Sequence, residues 1–167
     1  MIAADAREVV GVDVDPEAVA AIRERGYEVE LADAETMDLG RRFDVVYAGE
    51  MIEHLDNPGG FVRAARRHLR SDSSLVLTTP NPFCFTNFVY RIGGKPKMNR
   101  DHTCWYCEDT LPQLLGRHGF DATEVRYLRH STPGAMRSRL SGALRATLPD
   151  RLAWNTLLVV ARPVLDA

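Results

Sequence analysis

A short apolar run, Glu8-Val9-Val10-Gly11-Val12-Asp13, breaks directly into Asp15-Pro16 and a helical repeat that closes at Gly26. No other feature limits the fold as much. Successive valines around one glycine read as a strand buried on both faces, the habit of parallel sheets. Asp15 then caps a helix, Pro16 takes the first helical position where its missing N–H costs nothing, and Gly26 ends the helix in the left-handed conformation. Val19 and Ile22 with Ala18 form the inward stripe, while Arg23, Glu24 and Arg25 face water. A strand that feeds a helix and then a second strand, 27–34, is the grammar of an open α/β sheet.

The rest of the chain continues that grammar. A third strand is expected over 43–49, a helix over 58–70 with Phe61, Ala65 and Leu69 at four-residue spacing, and a fourth strand over 74–81 halted by Pro80. Residues 82–107 show no sustained period and are expected to be an insertion covering the ligand edge of the sheet. A helix over 109–118 follows, with Asp109 as its cap and Leu111, Leu114 and Leu115 inward. Strands over 120–129 and 154–163, separated by a helix over 134–148, are expected to pair antiparallel. The 167 residues read as one domain.

Composition removes several function classes. With 21 basic against 23 acidic residues the chain has no bulk attraction for nucleic acid, and the stretch Arg63 to Arg70 reads as a solvated helix face. No apolar run approaches the roughly 20 residues needed to span a bilayer, so no membrane partner is expected. Three cysteines lack a disulfide-framework spacing, which fits a reducing cytoplasm. Oligomeric state is left open.

Open parallel sheets bind ligands beyond the carboxyl ends of their strands, where Asp13, Asp33, residues 48–50 and residues 80–81 should converge. The two oxygens of Asp13 can accept from both hydroxyls of a ribose. Asp33 can accept from an exocyclic amine, and the Ala34 N–H can donate to a ring nitrogen. The plainer reading has Asp13 and Asp15 capping the helix and Asp33 ending a strand. A dinucleotide-binding unit also grips ribose with an acid in this place, but its upstream glycine fingerprint is absent.

In their order and spacing, "VVGVDVDPEAV", "ELADAETMDL", "FDVVYAGEMIEHLDNP", "LVLTTPN" and the later Gly119-Phe120 resemble the class I S-adenosylmethionine-dependent methyltransferases, particularly the small-molecule group related to ubiquinone and methionine biosynthesis. The resemblance implies a Rossmann-like sheet with S-adenosylmethionine as cofactor. It implies that Asp13, with Val14 beside it, binds the cofactor ribose. Asp33 and Ala34 would contact adenine, and Gly49, Glu50 and Met51 would wall the methionine and adenine moieties. It further implies a glycine-rich turn ahead of Glu8, and none is present. Residues 1–6 are similar only to the tail of the helix that follows such a turn. The strand that goes with it lies between the first and third strands seen here, so the chain is expected to be a fragment, to close its sheet by another route, or to accept a strand from a partner. Weak cofactor binding by the monomer, or none, is the consequence expected. A non-enzymatic methyltransferase-like structural or interaction domain is the competing reading.

Methyl transfer from a sulfonium needs an in-line nucleophile, so the protein contributes mainly orientation and electrostatics. His54 and His102 are the candidate catalytic bases, against structural roles in anchoring a loop or entering a helix. Trp105 and Tyr106 offer an apolar wall. The acceptor is expected to be a small molecule, its nucleophilic atom undetermined. His102, Cys104 and Cys107, with Cys84, have zinc-like spacing, yet no second close cysteine pair exists. No metal is expected, and the cysteines read as free thiols rather than a redox pair.

Overall fold

The computed structural model describes residues 6–94, 99–129 and 147–164. Its elements run β1 (Val10–Asp13), α1 (Pro16–Glu24), β2 (Glu28–Leu31), β3 (Phe43–Gly49), a 3-10 turn (Ile52–His54), α2 (Pro58–Arg67), β4 (Leu69–Pro80), α3 (Phe85–Ile92), α4 (Thr110–Arg117), β5 (Phe120–Leu128), α5 (Asp150–Ala153) and β6 (Thr156–Pro163). The expected helix over 134–148 falls outside the described residues except for its last two, and the expected helix tail at 1–6 does so except for its last. Among the described residues no helix is long and apolar enough to cross a membrane.

The opening junction folds as its residues dictate. The Asp15 side chain accepts from the Glu17 N–H at 2.9 Å, Pro16 begins α1, and Gly26 follows the helix with φ of 84°. β1 and β2 pair in parallel, Val10 opposite Glu28 and Asp13 opposite Leu31.

The other four strands form a mixed sheet in the order β3-β4-β6-β5, with β3 and β4 parallel and β6 antiparallel to both β4 and β5. This is the Rossmann-like α/β arrangement with an antiparallel C-terminal pair. Its core is apolar: Leu75 and Leu77 of β4 and Leu157, Val159 and Ala161 of β6 are fully buried. Phe61, Ala64 and Ala65 of α2 and Leu111 and Leu115 of α4 belong to the same cluster.

Among the described residues no ladder joins β1 to β3, and neither pairs on its facing edge, where a complete sheet would have a strand between them. Side chains cross the interval instead. Arg41 ion-pairs with Glu8 and Glu28 and lies over the Phe43 ring, 5.7 Å from its centroid. At the end of α2, Arg67 donates to the Met37 carbonyl at 3.0 Å, and the buried His68 ring accepts from the Leu39 N–H at 2.8 Å. Val45 and Tyr47 of β3 remain 55% and 50% exposed.

Several details differ from the sequence expectation; β2 ends at Leu31 rather than 34, and α2 ends at Arg67 rather than 70. β4 begins at Leu69 rather than 74, because Leu69 pairs with Phe43 and the Ser73 hydroxyl donates to the Phe43 carbonyl at 2.8 Å across a register shift. The span 82–107 is not aperiodic: Phe85, Phe88, Val89 and Ile92 repeat at helical spacing in α3. That helix has no side-chain cap and no buried residue, so neither of the usual boundary signals marks it. Asp109 occupies the N-cap position of α4 without making a cap hydrogen bond; the Thr110 hydroxyl accepts from the Cys107 N–H at 3.0 Å.

Candidate functional site

Asp13 ends β1, and its Oδ1 accepts from the Asp15 N–H at 2.9 Å. Asp33 repeats the device two residues beyond β2, its Oδ1 accepting from the Glu35 N–H at 2.8 Å. Each closes a turn two residues on with one of its oxygens, while the cap of α1 is Asp15 alone. The Ala32 N–H donates to the Asp13 carbonyl at 3.0 Å, so the chain leaving β2 runs alongside the end of β1. Val14 is 70% exposed beside them, and Ala34 packs against the core.

The loop after β2 touches the loop after β3. Glu35 Oε1 accepts from the Asn57 N–H at 2.8 Å, which ties the two sheets together at their carboxyl ends. Between these points the chain leaves β3 through Glu50 at φ of 52°, a left-handed conformation that costs a side-chain-bearing residue about 1 kcal/mol or more. The Glu50 N–H donates to the Thr78 carbonyl at 2.8 Å, which holds that turn. Gly49 tolerates the place because a Cβ there would overlap the Tyr47 phenol. Met51 packs on the core below.

The turn delivers Ile52 and Glu53 to the interior, both fully buried. Glu53 Oε2 accepts from the buried Thr79 hydroxyl at 2.9 Å, whereas Oε1 has no partner. The insertion is fastened to this turn: the Thr103 N–H donates to the Glu53 carbonyl at 2.9 Å and its hydroxyl to the Leu55 carbonyl at 2.8 Å. That clamp sets the His102 ring edge-on against His54, centroids 4.6 Å apart and planes at 89°. The two histidines, 48 residues apart in the chain, share one site. Glu53, which the resemblance places near the active-site mouth without a role, is the member not named as a candidate site residue; its signal is a carboxylate inside the run Met51-Ile52-Glu53-His54-Leu55. Nearby, burial first, then Cys104 and the Glu53 charge, push the Tyr106 phenol above its ordinary value.

All three cysteines are free, Cys84 buried and Cys104 and Cys107 half-buried. Among the described residues they join no metal-ligating group with His102. Past the end of β4 lies a cavity of about 820 Å³ walled by Phe83, Phe85, Phe88 and Trp105, with Arg91 and Arg151 in its lining. Trp105 lines this cavity, while Tyr106 packs on the core.

Acidic residues at neighbouring strand ends of a parallel α/β sheet, closed by an antiparallel pair, define a Rossmann-like domain of the class I methyltransferase kind. The chain belongs to the methyltransferase domain family, whose pattern matches residues 2–125. A Mycobacterium tuberculosis protein named "Probable S-adenosylmethionine-dependent methyltransferase" is 37% identical over 123 residues, 72% of this chain and 43% of that one. The ubiquinone biosynthesis O-methyltransferase of Cereibacter sphaeroides is 27% identical over 132 residues, 70% of this chain and 53% of its own length. A crystal structure of an S-adenosylmethionine-dependent methyltransferase from Thermotoga maritima superimposes with a TM-score of 0.70 at 18% identity, covering 92% of this chain and 72% of the other, and so shares the fold. The chain spans about half the length of the curated relatives it matches.

Proposed function

We propose that this chain is a methyltransferase domain that holds S-adenosylmethionine across the carboxyl ends of β1, β2 and β3 and transfers its methyl group to a small molecule. The observation that carries the reading is the placement of Asp13 and Asp33 at adjacent strand ends, tied through Glu35 and Asn57 to the loop after β3. The free oxygen of Asp13 takes the ribose hydroxyls, with Val14 beside it; Asp33 and the Ala34 N–H take the adenine edge; Gly49, Glu50 and Met51 flank the methionine side. The names of the relatives support the same cofactor.

The acceptor approaches from the 82–107 side. An aromatic-walled cavity whose lining holds Arg91, Arg151 and Glu108 suits a molecule with an apolar body and a polar or charged group. In the reaction a lone pair of the acceptor forms a bond to the methyl carbon as the carbon–sulfur bond breaks, and the electron pair neutralises the sulfonium. The protein has only to align the partners and accommodate the acceptor proton. His54 and His102 are the side chains we assign to the acceptor's nucleophilic atom.

Calorimetry with S-adenosylmethionine and S-adenosylhomocysteine tests the cofactor half. The open interval between β1 and β3 withholds backbone support from the methionine end, so binding is expected to be saturable but weaker than about 10 μM, with Asp13→Ala weakening it about tenfold further. No saturable binding by the intact chain at millimolar ligand sinks the reading. Binding at about 1 μM or tighter keeps the cofactor but overturns the account of the interval.

A further inference from the structure

We propose that Glu53, His54 and His102 form a divalent-cation site that fastens the 82–107 insertion to the end of β3 and takes an acceptor oxygen into its coordination shell. One ligand atom from each residue lies within 4.8 Å of the other two. Two ligands about 2.1 Å from a common ion stand at most about 4.2 Å apart, so the cluster has to draw in by about 0.6 Å. The half-buried imidazoles can make that move by ring rotation.

Burial supplies the reason for a cation. Glu53 is wholly removed from water, and among the described residues no lysine or arginine pairs with it. One hydrogen bond from Thr79 satisfies one oxygen, leaving Oε1 buried and bare. His102 Nδ1 is likewise buried without a partner. Buried polar atoms of this kind are paired or coordinate a metal, and both orphans belong to residues of this cluster. The fixed parts of the site are well held: Glu53 by Thr79, His102 by the Thr103 clamp.

Two imidazoles and one carboxylate suit Zn²⁺, Mn²⁺ or another first-row divalent ion, and three protein ligands leave coordination positions open. The part assigned to the acceptor rests on the methyltransferase reading above; the cation site stands on the side chains alone. An acceptor hydroxyl bound to the ion loses its proton to solvent water more readily. Its oxygen lone pair then forms the bond to the methyl carbon while the carbon–sulfur pair goes to sulfur. A ligated histidine is no longer free to act as a base, so the cation would take over the task first assigned to His54 and His102.

Titration of the metal-stripped 167-residue chain with Zn²⁺ and with Mn²⁺, followed by calorimetry and by metal content after dialysis, tests the site. One equivalent per chain is expected, and His102→Ala and His54→Gln should each weaken binding at least about tenfold. Glu53→Gln should do the same, circular dichroism checking that it folds; the two histidine variants decide the matter if it does not. His118→Ala, on the far end of α4, should leave binding unchanged. With Co²⁺ the expected spectrum has visible ligand-field bands and no intense thiolate charge-transfer band. The proposal is overturned by no stoichiometric binding at about 100 μM metal, by undiminished binding in both histidine variants, or by binding lost only in the Cys104→Ser, Cys107→Ser double variant. S-adenosylhomocysteine titrated into the same sample separates the two readings: metal without nucleoside keeps the site and removes the methyltransferase role, and nucleoside without metal does the reverse.

Discussion

β4 and β1 are both apolar runs in parallel pairs, yet they live in different environments. β4 has neighbours on both edges, and Leu75, Leu77 and Thr79 are fully buried. β1 has a neighbour on one edge, and all four of its residues stay partly exposed. The β1–α1–β2 unit contributes only Val19 and Val29 to the buried apolar set, whereas the four-stranded sheet with its helices builds a continuous core. Besides Val12 of β1 and Ala32 and Ala34 just past β2, which pack against that core, cross-ties hold the smaller unit in place: Arg41 at one end, Glu35 to Asn57 at the other, and the Arg67 and His68 contacts between them. Asp13 and Asp33 therefore sit on the weakly supported unit, and the Glu53–His54–His102 cluster on the strongly supported one.

Truncation should expose that contrast most clearly. Leu77→Ala, in the middle of β4, is expected to cost about 2–5 kcal/mol in denaturant unfolding, because the surrounding sheet cannot collapse onto the space. Val12→Ala in β1 should cost less than half as much; equal losses would mean that the two units share one core. Thr79→Val should follow at about 1–3 kcal/mol, since it removes the only hydrogen bond to the buried Glu53 carboxyl.

Smaller effects test the smaller unit. Asp15→Ala should cost about 1 kcal/mol through loss of the α1 cap, and hydrogen exchange should rise in β1, α1 and β2 before it rises in β4. Val45→Lys, on the exposed edge of β3, should change stability by less than about 0.5 kcal/mol. A loss of several times that would show the edge to be covered in solution.

The smallest expected effect is on pH dependence. Burial, then Arg63 and Arg117, hold the His118 pKa below its ordinary 6.5. Between the lowered folded value and 6.5 the unfolded chain binds more protons, so stability should rise with pH through that window and fall as pH drops below about 6.5. Unfolding midpoints on either side of the window, compared with those of His118→Gln, check the sign. A variant whose midpoints shift with pH as much as the parent's would remove His118 as a source.

What the sequence determined by itself is local or periodic. The α1 cap, its proline and Gly26 are readable because each satisfies the backbone at a fixed offset. The strands themselves are readable because burial leaves a pattern of valines and leucines, whereas the antiparallel final pair and the open place between β1 and β3 are what the family resemblance implies, since its motif order lacks a first member here. α3 escaped because a surface helix without a cap or a buried face leaves only a short repeat. The early start of β4 escaped because Leu69 is recruited by its partner Phe43 and not by its own neighbours. Tertiary structure alone decided the site: the Thr103 clamp carries His102 onto His54, and the turn at Glu50 drives Glu53 into the interior against Thr79. Side chains so far apart in the chain converge only when two strand-end loops are packed on one core, and no spacing in the sequence encodes that meeting.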